Sequence, residues 1–206
     1  MLTLYYSPGA CSLASLIALE ESGLAFEAKR VDFSKAEQQS PEYLRLNPKG
    51  RVPVLIAEKG AISETPAILA YVAQIAKSAR LAPLDDLFEF ALMQSFNNYL
   101  CATVHVNHAH GRRGYRWTDD EAARETMKAK VPQTMGESLG LIETSMLRGP
   151  WVMGKDYSVA DAYLFTMFGW AKGDGVDLDR LPKLGEHRAR MLERPAVQRA
   201  REIERA

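Results

Sequence analysis

The opening of the chain changes hydrophobic period twice, and that change restricts the fold more than any other feature. Leu2 to Tyr6 is a short apolar and aromatic run closed by Ser7-Pro8-Gly9, which reads as a buried strand ending in a turn. Leu13, Leu16, Ile17 and Leu19 then recur at helical spacing up to Gly23, so the spacing predicts a helix over Ser12 to Ser22 that starts directly after Cys11. Phe26 to Phe33 reads as a second strand, with Ala28, Val31 and Phe33 apolar around Lys29 and Arg30. Strand, helix and strand within about thirty residues is the parallel crossover unit.

From Ser34 to Gly50 the composition turns polar, with one short helical stretch at Pro41 to Leu46. Val52 to Ala57 reads as a third strand interrupted by Pro53, and Glu58-Lys59-Gly60 turns it into a hairpin partner at Ala61-Ile62. A helix opened by Ser63 or Glu64 carries Ile68, Leu69, Val72 and Ile75 on one face. Past Arg80-Leu81-Ala82-Pro83 the strand signals stop, which divides the chain into an α/β domain over 1–80 and an all-helical domain over 86–206. In the second domain a long amphipathic helix is expected from Asp85 to about His110, ended by Gly111-Arg112-Arg113-Gly114. Thr118-Asp119-Asp120-Glu121 has capping-box spacing and starts a helix to about Met146, which Pro132 is expected to bend or split. Ser158-Val159-Ala160-Asp161 is a second capping box, ahead of the apolar run Ala162 to Trp170. Pro182 and Pro195 each stand at a first helical position and give two more helices.

Composition removes several functions. Lys plus Arg and Asp plus Glu are 26 each, so no net field favours nucleic acid or an anionic membrane. Cys11 and Cys101 make no disulfide framework and point to a reducing compartment. The N-terminus lacks the basic start and apolar stretch of a signal peptide, and no run approaches the roughly 18 apolar residues that span a bilayer. The expectation is a cytoplasmic protein with no nucleic-acid or membrane partner. Gly-rich phosphate signatures are absent as well.

Three places carry chemistry. Cys11 sits where the first strand gives way to the first helix, where unpaired amides and a partial positive charge lower a thiol pKa from roughly 8.5 towards neutrality. From position alone it reads equally as an inert core cysteine, and Ser12-Leu13-Ala14 after it exclude an adjacent dithiol couple. Pro53 inside a strand needs a local reason, either a cis bond that leaves Val52 free to pair with a bound peptide or a place on an edge strand. Glu64-Thr65 opens a helix whose amides suit a carboxylate, with Glu64 able to accept from an ammonium; taken alone it reads more readily as a plain helix start. His105, His108 and His110 raise a metal reading, but no acidic neighbour or distant fourth ligand accompanies them, so no metal is expected.

Read together, Tyr6-Ser7-Pro8-Gly9-Ala10-Cys11-Ser12, Asn47-Pro48-Lys49-Gly50-Arg51-Val52-Pro53-Val54-Leu55, Glu64-Thr65-Pro66-Ala67-Ile68 and Ser158-Val159-Ala160-Asp161-Ala162-Tyr163 resemble the bacterial beta-class glutathione transferases. The resemblance runs to Glu193-Arg194-Pro195-Ala196-Val197-Gln198, essentially the whole chain. It implies a thioredoxin-like N-terminal domain, an all-α C-terminal domain that shapes a second-substrate pocket, and glutathione as co-substrate without a metal. It further implies that Cys11 lies beside the glutathione sulfur and can form a mixed disulfide with it. Val52 pairs its backbone with the cysteinyl unit beside a cis Pro53, and Glu64 and Thr65 hold the γ-glutamyl group, although the family usually has Ser or Gly at the Thr65 position. Arg51 joins the glutathione-binding motif, Lys35 is placed near the glycyl carboxylate, and His105 and Asn98 come from the helical domain, His105 facing Cys11. The implied reaction is conjugation of the glutathione thiol to a small hydrophobic electrophile, with thiol–disulfide exchange beside it, in a homodimer. A glutathione-dependent thiol reductase or isomerase, and a non-catalytic binding module, are the alternatives. Retention of Cys11, Pro53 and the Glu64-Thr65 pair argues against the module.

Overall fold

Alternation along one central strand sorts the side chains of the first half into two layers. In β1 (Leu2–Tyr6), Leu4 and Tyr6 enter the main core while Tyr5 packs into a smaller cluster on the opposite face. The computed structural model describes residues 1–205. β1 pairs in parallel with β2 (Phe26–Arg30) and antiparallel with β3 (Val54–Ala57), and β3 pairs antiparallel with β4 (Gly60–Ser63). The resulting order is β2-β1-β3-β4. Helices α1 (Ser12–Ser22) and α3 (Thr65–Ile75) cover one face with Leu16, Ile17, Leu19, Ile68, Leu69 and Val72, all fully buried. On the other face α2 (Pro41–Leu46) lays Tyr43 against Val31, Val52 and Val54. The start of α2 is fixed by Ser40, whose hydroxyl accepts from Tyr43 N–H, with Pro41 in the first turn.

The boundaries of β2 and β3 differ from the sequence reading, while that of α3 agrees with it. β2 stops at Arg30 because Asp32 caps a 3₁₀ turn over Phe33–Lys35, which leaves Phe33 40% exposed. β3 starts at Val54 and not at Val52: Pro53 has no N–H, so the ladder begins with the next residue able to pair. α3 opens at Thr65, with Glu64 in the cap position.

Among the described residues, all later regular elements are helical. They are α4 (Leu87–Tyr99), α5 (His105–Arg113), α6 (Glu121–Leu141), α7 (Val159–Phe168), α8 (Pro182–Glu193) and α9 (Pro195–Arg205). A π turn over Leu100–Val104 joins α4 to α5 without a break, so the long helix runs through Gly111 to Arg113 and does not end near His110. The N-cap of α6 is Asp120, which accepts from Ala123 N–H; Thr118 instead accepts from Asp120 N–H. Pro132 does not split α6. Val131, Met135 and Leu139 continue one buried stripe across it, and that packing outweighs the single lost hydrogen bond.

The expected capping box at Ser158 and Asp161 is present, and every residue of α7 is buried. Such a helix, apolar on all sides, belongs at the centre of a core. One cluster joins Leu4, Leu16 and Leu69 of the first half to Leu100, Met135 and Tyr163 of the second. Because α1 packs on α3, α7 and α9, its N-terminus is fixed by both halves of the molecule.

Candidate active site

Cys11 is held by a loop that both halves pin. Ser12 Oγ accepts from Ser7 N–H at 3.1 Å and donates to Ser7 C=O at 3.2 Å, closing the turn before α1. Gly9 supplies the left-handed φ of 70° that the turn requires. From the helical side, Trp170 Nε1–H donates to Gly9 C=O at 3.1 Å, and Gly9 N–H donates to Glu204 Oε1 at 3.1 Å. The loop is therefore rigid in its main chain, with Cys11 as the N-cap residue of α1.

The Cys11 thiol donates to Val52 C=O at 3.6 Å. Val52–Pro53 is cis, as expected, and the Val52 N–H has no partner among the described residues. The expected acidity of Cys11 is corrected: burial pushes its thiol up to about 11, with Thr65 and the Arg113 charge acting in the opposite sense. Burial against the Val52 carbonyl stabilises the S–H form more than the helix terminus stabilises a thiolate. At neutral pH the free protein holds Cys11 as a thiol.

Glu64 and Thr65 stand at the start of α3. Glu64 has φ 74°, a conformation that costs a non-glycine residue about 1–3 kcal/mol and collects at functional sites. Its carboxylate accepts from Lys49 Nζ at 2.6 Å, and the same ammonium donates to Ser63 Oγ at 2.7 Å. Thr65 is buried beside Cys11.

These groups open into a cleft of about 630 Å³. Cys11, Arg51, Val52, Pro53, Glu64 and Thr65 line its sheet side, and His105 lines the helical side, so seven of the nine expected site residues meet there. Lys35 and Asn98 do not. Lys35 turns outward to Asp32 at 3.6 Å, and Gln38 and Gln39 of the same segment face the cleft instead. Asn98 is exposed on α4.

The helical wall also holds residues that the sequence reading passed over. Cys101, Ala109, Arg112 and Arg113 line the cleft with His105, and Tyr163, Arg116 and Trp117 complete it. Stepping four residues in either direction from His105 finds most of them, because the π turn passes into α5 without a gap. His105 meets the edge of Trp170 at 5.1 Å, and its pKa falls to about 4 through burial and the nearby charges of Arg113, Arg51 and Arg116. Its ring is neutral at pH 7. His108 stacks on Trp170 at 4.1 Å and bonds Asp174 at 2.8 Å, an acidic partner far away in sequence. His110 turns to Trp117, and no group of metal-ligating side chains occurs among the described residues.

The fold is a thioredoxin-like sheet roofed by helices, with a main-chain N–H that has no partner among the described residues next to a cysteine. Residues 1–74 match the N-terminal domain of glutathione S-transferases, and residues 108–202 match their C-terminal domain. The chain is 46% identical to a glutathione transferase homologue from Sulfitobacter solved with bound glutathione, which superposes with a TM-score of 0.95 over 98% of each chain. It is 34% identical to a bacterial beta-class glutathione S-transferase from Sphingomonas chungbukensis, with a TM-score of 0.86 over 98% of each chain. Glutathione S-transferase GST-4.5 of Xanthomonas campestris pv. campestris is 35% identical over 98% of both proteins. The chain belongs to the glutathione S-transferase family, an enzyme class. No helix among the described residues is long and apolar enough to cross a membrane.

Proposed function

We propose that the protein conjugates the thiol of glutathione to small hydrophobic electrophiles in the cleft between the sheet and α5. The observation that carries this reading is the Val52 N–H, which has no partner among the described residues and belongs to a residue lining the open cleft beside Cys11. The cysteinyl unit of glutathione pairs its main chain with Val52, which brings its sulfur to Cys11. Its γ-glutamyl carboxylate meets Thr65 at the start of α3, and its ammonium replaces Lys49 on Glu64, a carboxylate that already accepts from an ammonium. Gln38, whose buried Oε1 has no partner among the described residues, accepts from the glycyl N–H, while Arg51 takes the glycyl carboxylate and Lys35 joins it after leaving Asp32.

In this arrangement Cys11 acts as a donor. As a thiol it gives its S–H to the glutathione thiolate in place of the Val52 carbonyl, while Arg113 adds positive charge. The neutral His105 ring bounds the space for the electrophile. The thiolate attacks the electrophilic carbon, the C–S bond forms, the leaving group departs, and the thiol proton goes to solvent. A protonated Cys11 favours conjugation over a cycle in which Cys11 is the nucleophile.

The chain works as a homodimer in this reading. Leu87 and Phe88 are 83% and 71% exposed at the start of α4 and Leu92 of the same helix is 39% exposed, an apolar face that a second copy covers. Asn98 lies further along the exposed side of the same helix, so its contribution to a site runs through that interface. Sedimentation at the single-chain mass of 23.0 kDa at micromolar concentration would contradict the dimer. The activity is tested with glutathione and chlorodinitrobenzene: enzyme-dependent thioether formation, saturable in both, is expected. Failure to bind glutathione at millimolar concentration would remove the reading.

A further inference from the structure

The cleft carries more positive charge than glutathione can use. Arg51, Arg112, Arg113 and Arg116 all line it, and none has a carboxylate within salt-bridge distance among the described residues. The one acidic residue in the lining is Glu64, which Lys49 already engages. Glutathione with its thiol ionised brings two carboxylates, one thiolate and one ammonium, a net of two negative charges. That is half of what the four guanidiniums call for. Arg51 sits on the glutathione side, next to Val52, whereas Arg112, Arg113 and Arg116 belong to α5 and the turn after it, across the cleft.

Arg113 is partly buried, and burial and Arg116 both work against its charge. A guanidinium held this way without an anionic partner gains most from a ligand that supplies one. Around it, Val106, Ala109 and the exposed rings of Tyr115 and Trp117 offer an apolar and aromatic surface. Resting on the conjugation reading above, we infer that the second substrate is an electrophile with an apolar or aromatic body and a carboxylate or similar anionic group, which Arg113 and Arg116 select. With an aryl chloride of this kind, the C–S bond forms at the ring carbon, chloride leaves, and the thiol proton passes to solvent.

A matched pair of probes tests this. Chlorodinitrobenzoate and its neutral carboxamide share the reacting carbon, and the corresponding aminodinitrobenzoate and carboxamide lack a leaving group and report binding alone. With saturating S-methylglutathione filling the peptide site, quenching of tryptophan fluorescence gives both affinities. The anion is expected to bind about tenfold tighter than the amide, as one added charge-assisted contact provides. That ratio should fall towards one in Arg113→Gln and in Arg116→Gln, and in wild type as salt is raised. Equal binding of anion and amide by wild type overturns the inference, as does a ratio that both variants leave intact. Conjugation rates with the chloro compounds, corrected for the uncatalysed rates, should show the same preference. Anion-selective binding with no conjugation of either chloride would overturn the transferase reading and leave the anion site standing.

Discussion

Asp161 is fully buried at the start of α7, and its carboxylate accepts four hydrogen bonds. Oδ1 takes Val152 N–H at 2.7 Å and His187 Nε2 at 2.9 Å; Oδ2 takes Ser158 N–H at 2.8 Å and Ser158 Oγ at 3.1 Å. Asp161→Asn keeps the shape but turns one acceptor oxygen into a donor, which then faces a main-chain N–H or the His187 ring. Hydrogen bonds to a charged acceptor are worth about 1.5–3 kcal/mol each, and an orphaned buried N–H costs about 1–3 kcal/mol. A loss of about 3–5 kcal/mol is expected, a large part of the stability of a protein of this size. Ser158→Ala removes the hydroxyl's bond to Asp161 and its half of the capping box and should cost about 0.5–2 kcal/mol. Urea denaturation followed by tryptophan fluorescence measures both, with Trp151 reporting locally because its ring lies 5.8 Å from His187. A cost for Asp161→Asn no larger than that for Ser158→Ala would refute the argument that this carboxylate organises the turn and the helix together.

Alkylation of Cys11 in the free protein should be slow at neutral pH and rise with a midpoint near 11; a midpoint below 8 would restore the thiolate that the sequence suggested. Glu204, raised to about 6 by burial, is more easily protonated folded than unfolded, so its contribution to stability is complete below about 4.5 and lost as pH rises through 6. Glu204→Gln, which keeps an acceptor for Gly9 N–H, should therefore add about 1 kcal/mol at pH 7 and nothing near pH 4; destabilisation at pH 7 would contradict this. His105, lowered to about 4, binds a proton more readily when unfolded, so stability should drop by at most ~3 kcal/mol as pH falls from 6.5 to 4. His105→Gln should remove that part of the slope.

Much of the sheet, the helix order and both proline-started helices could be read from the sequence, because period, caps and turn residues are local signals. The family resemblance implied cis Pro53 and brought Cys11, Val52 and Thr65 to one site. The acidity of Cys11 did not, since it depends on a carbonyl forty-one residues away and on burial by the second half. Of the two outcomes expected at Pro132, a bend or a split, the split does not occur: a local rule cannot see that Val131, Met135 and Leu139 are held by the core. Arg113 and Cys101 were legible only after His105 had been placed, because helical phase needs a known reference residue. Lys35 and Asn98 were carried over from the family resemblance outside its motifs, and neither residue lines the cleft of its own chain.

The central claim is that this cleft binds glutathione with its sulfur in the field of Arg113 and the first turn of α1. The most direct measurement is the ultraviolet absorbance of the glutathione thiolate on the enzyme as a function of pH, read against the ligand-free protein to subtract Cys101, in wild type and in Cys11→Ala, which removes the thiol next to the bound sulfur. A bound thiol titrating about one unit or more below the roughly 8.5 of an ordinary cysteine is expected in both proteins, higher in Cys11→Ala because the S–H donor is gone. A bound glutathione that titrates at or above the free value in wild type would contradict the account.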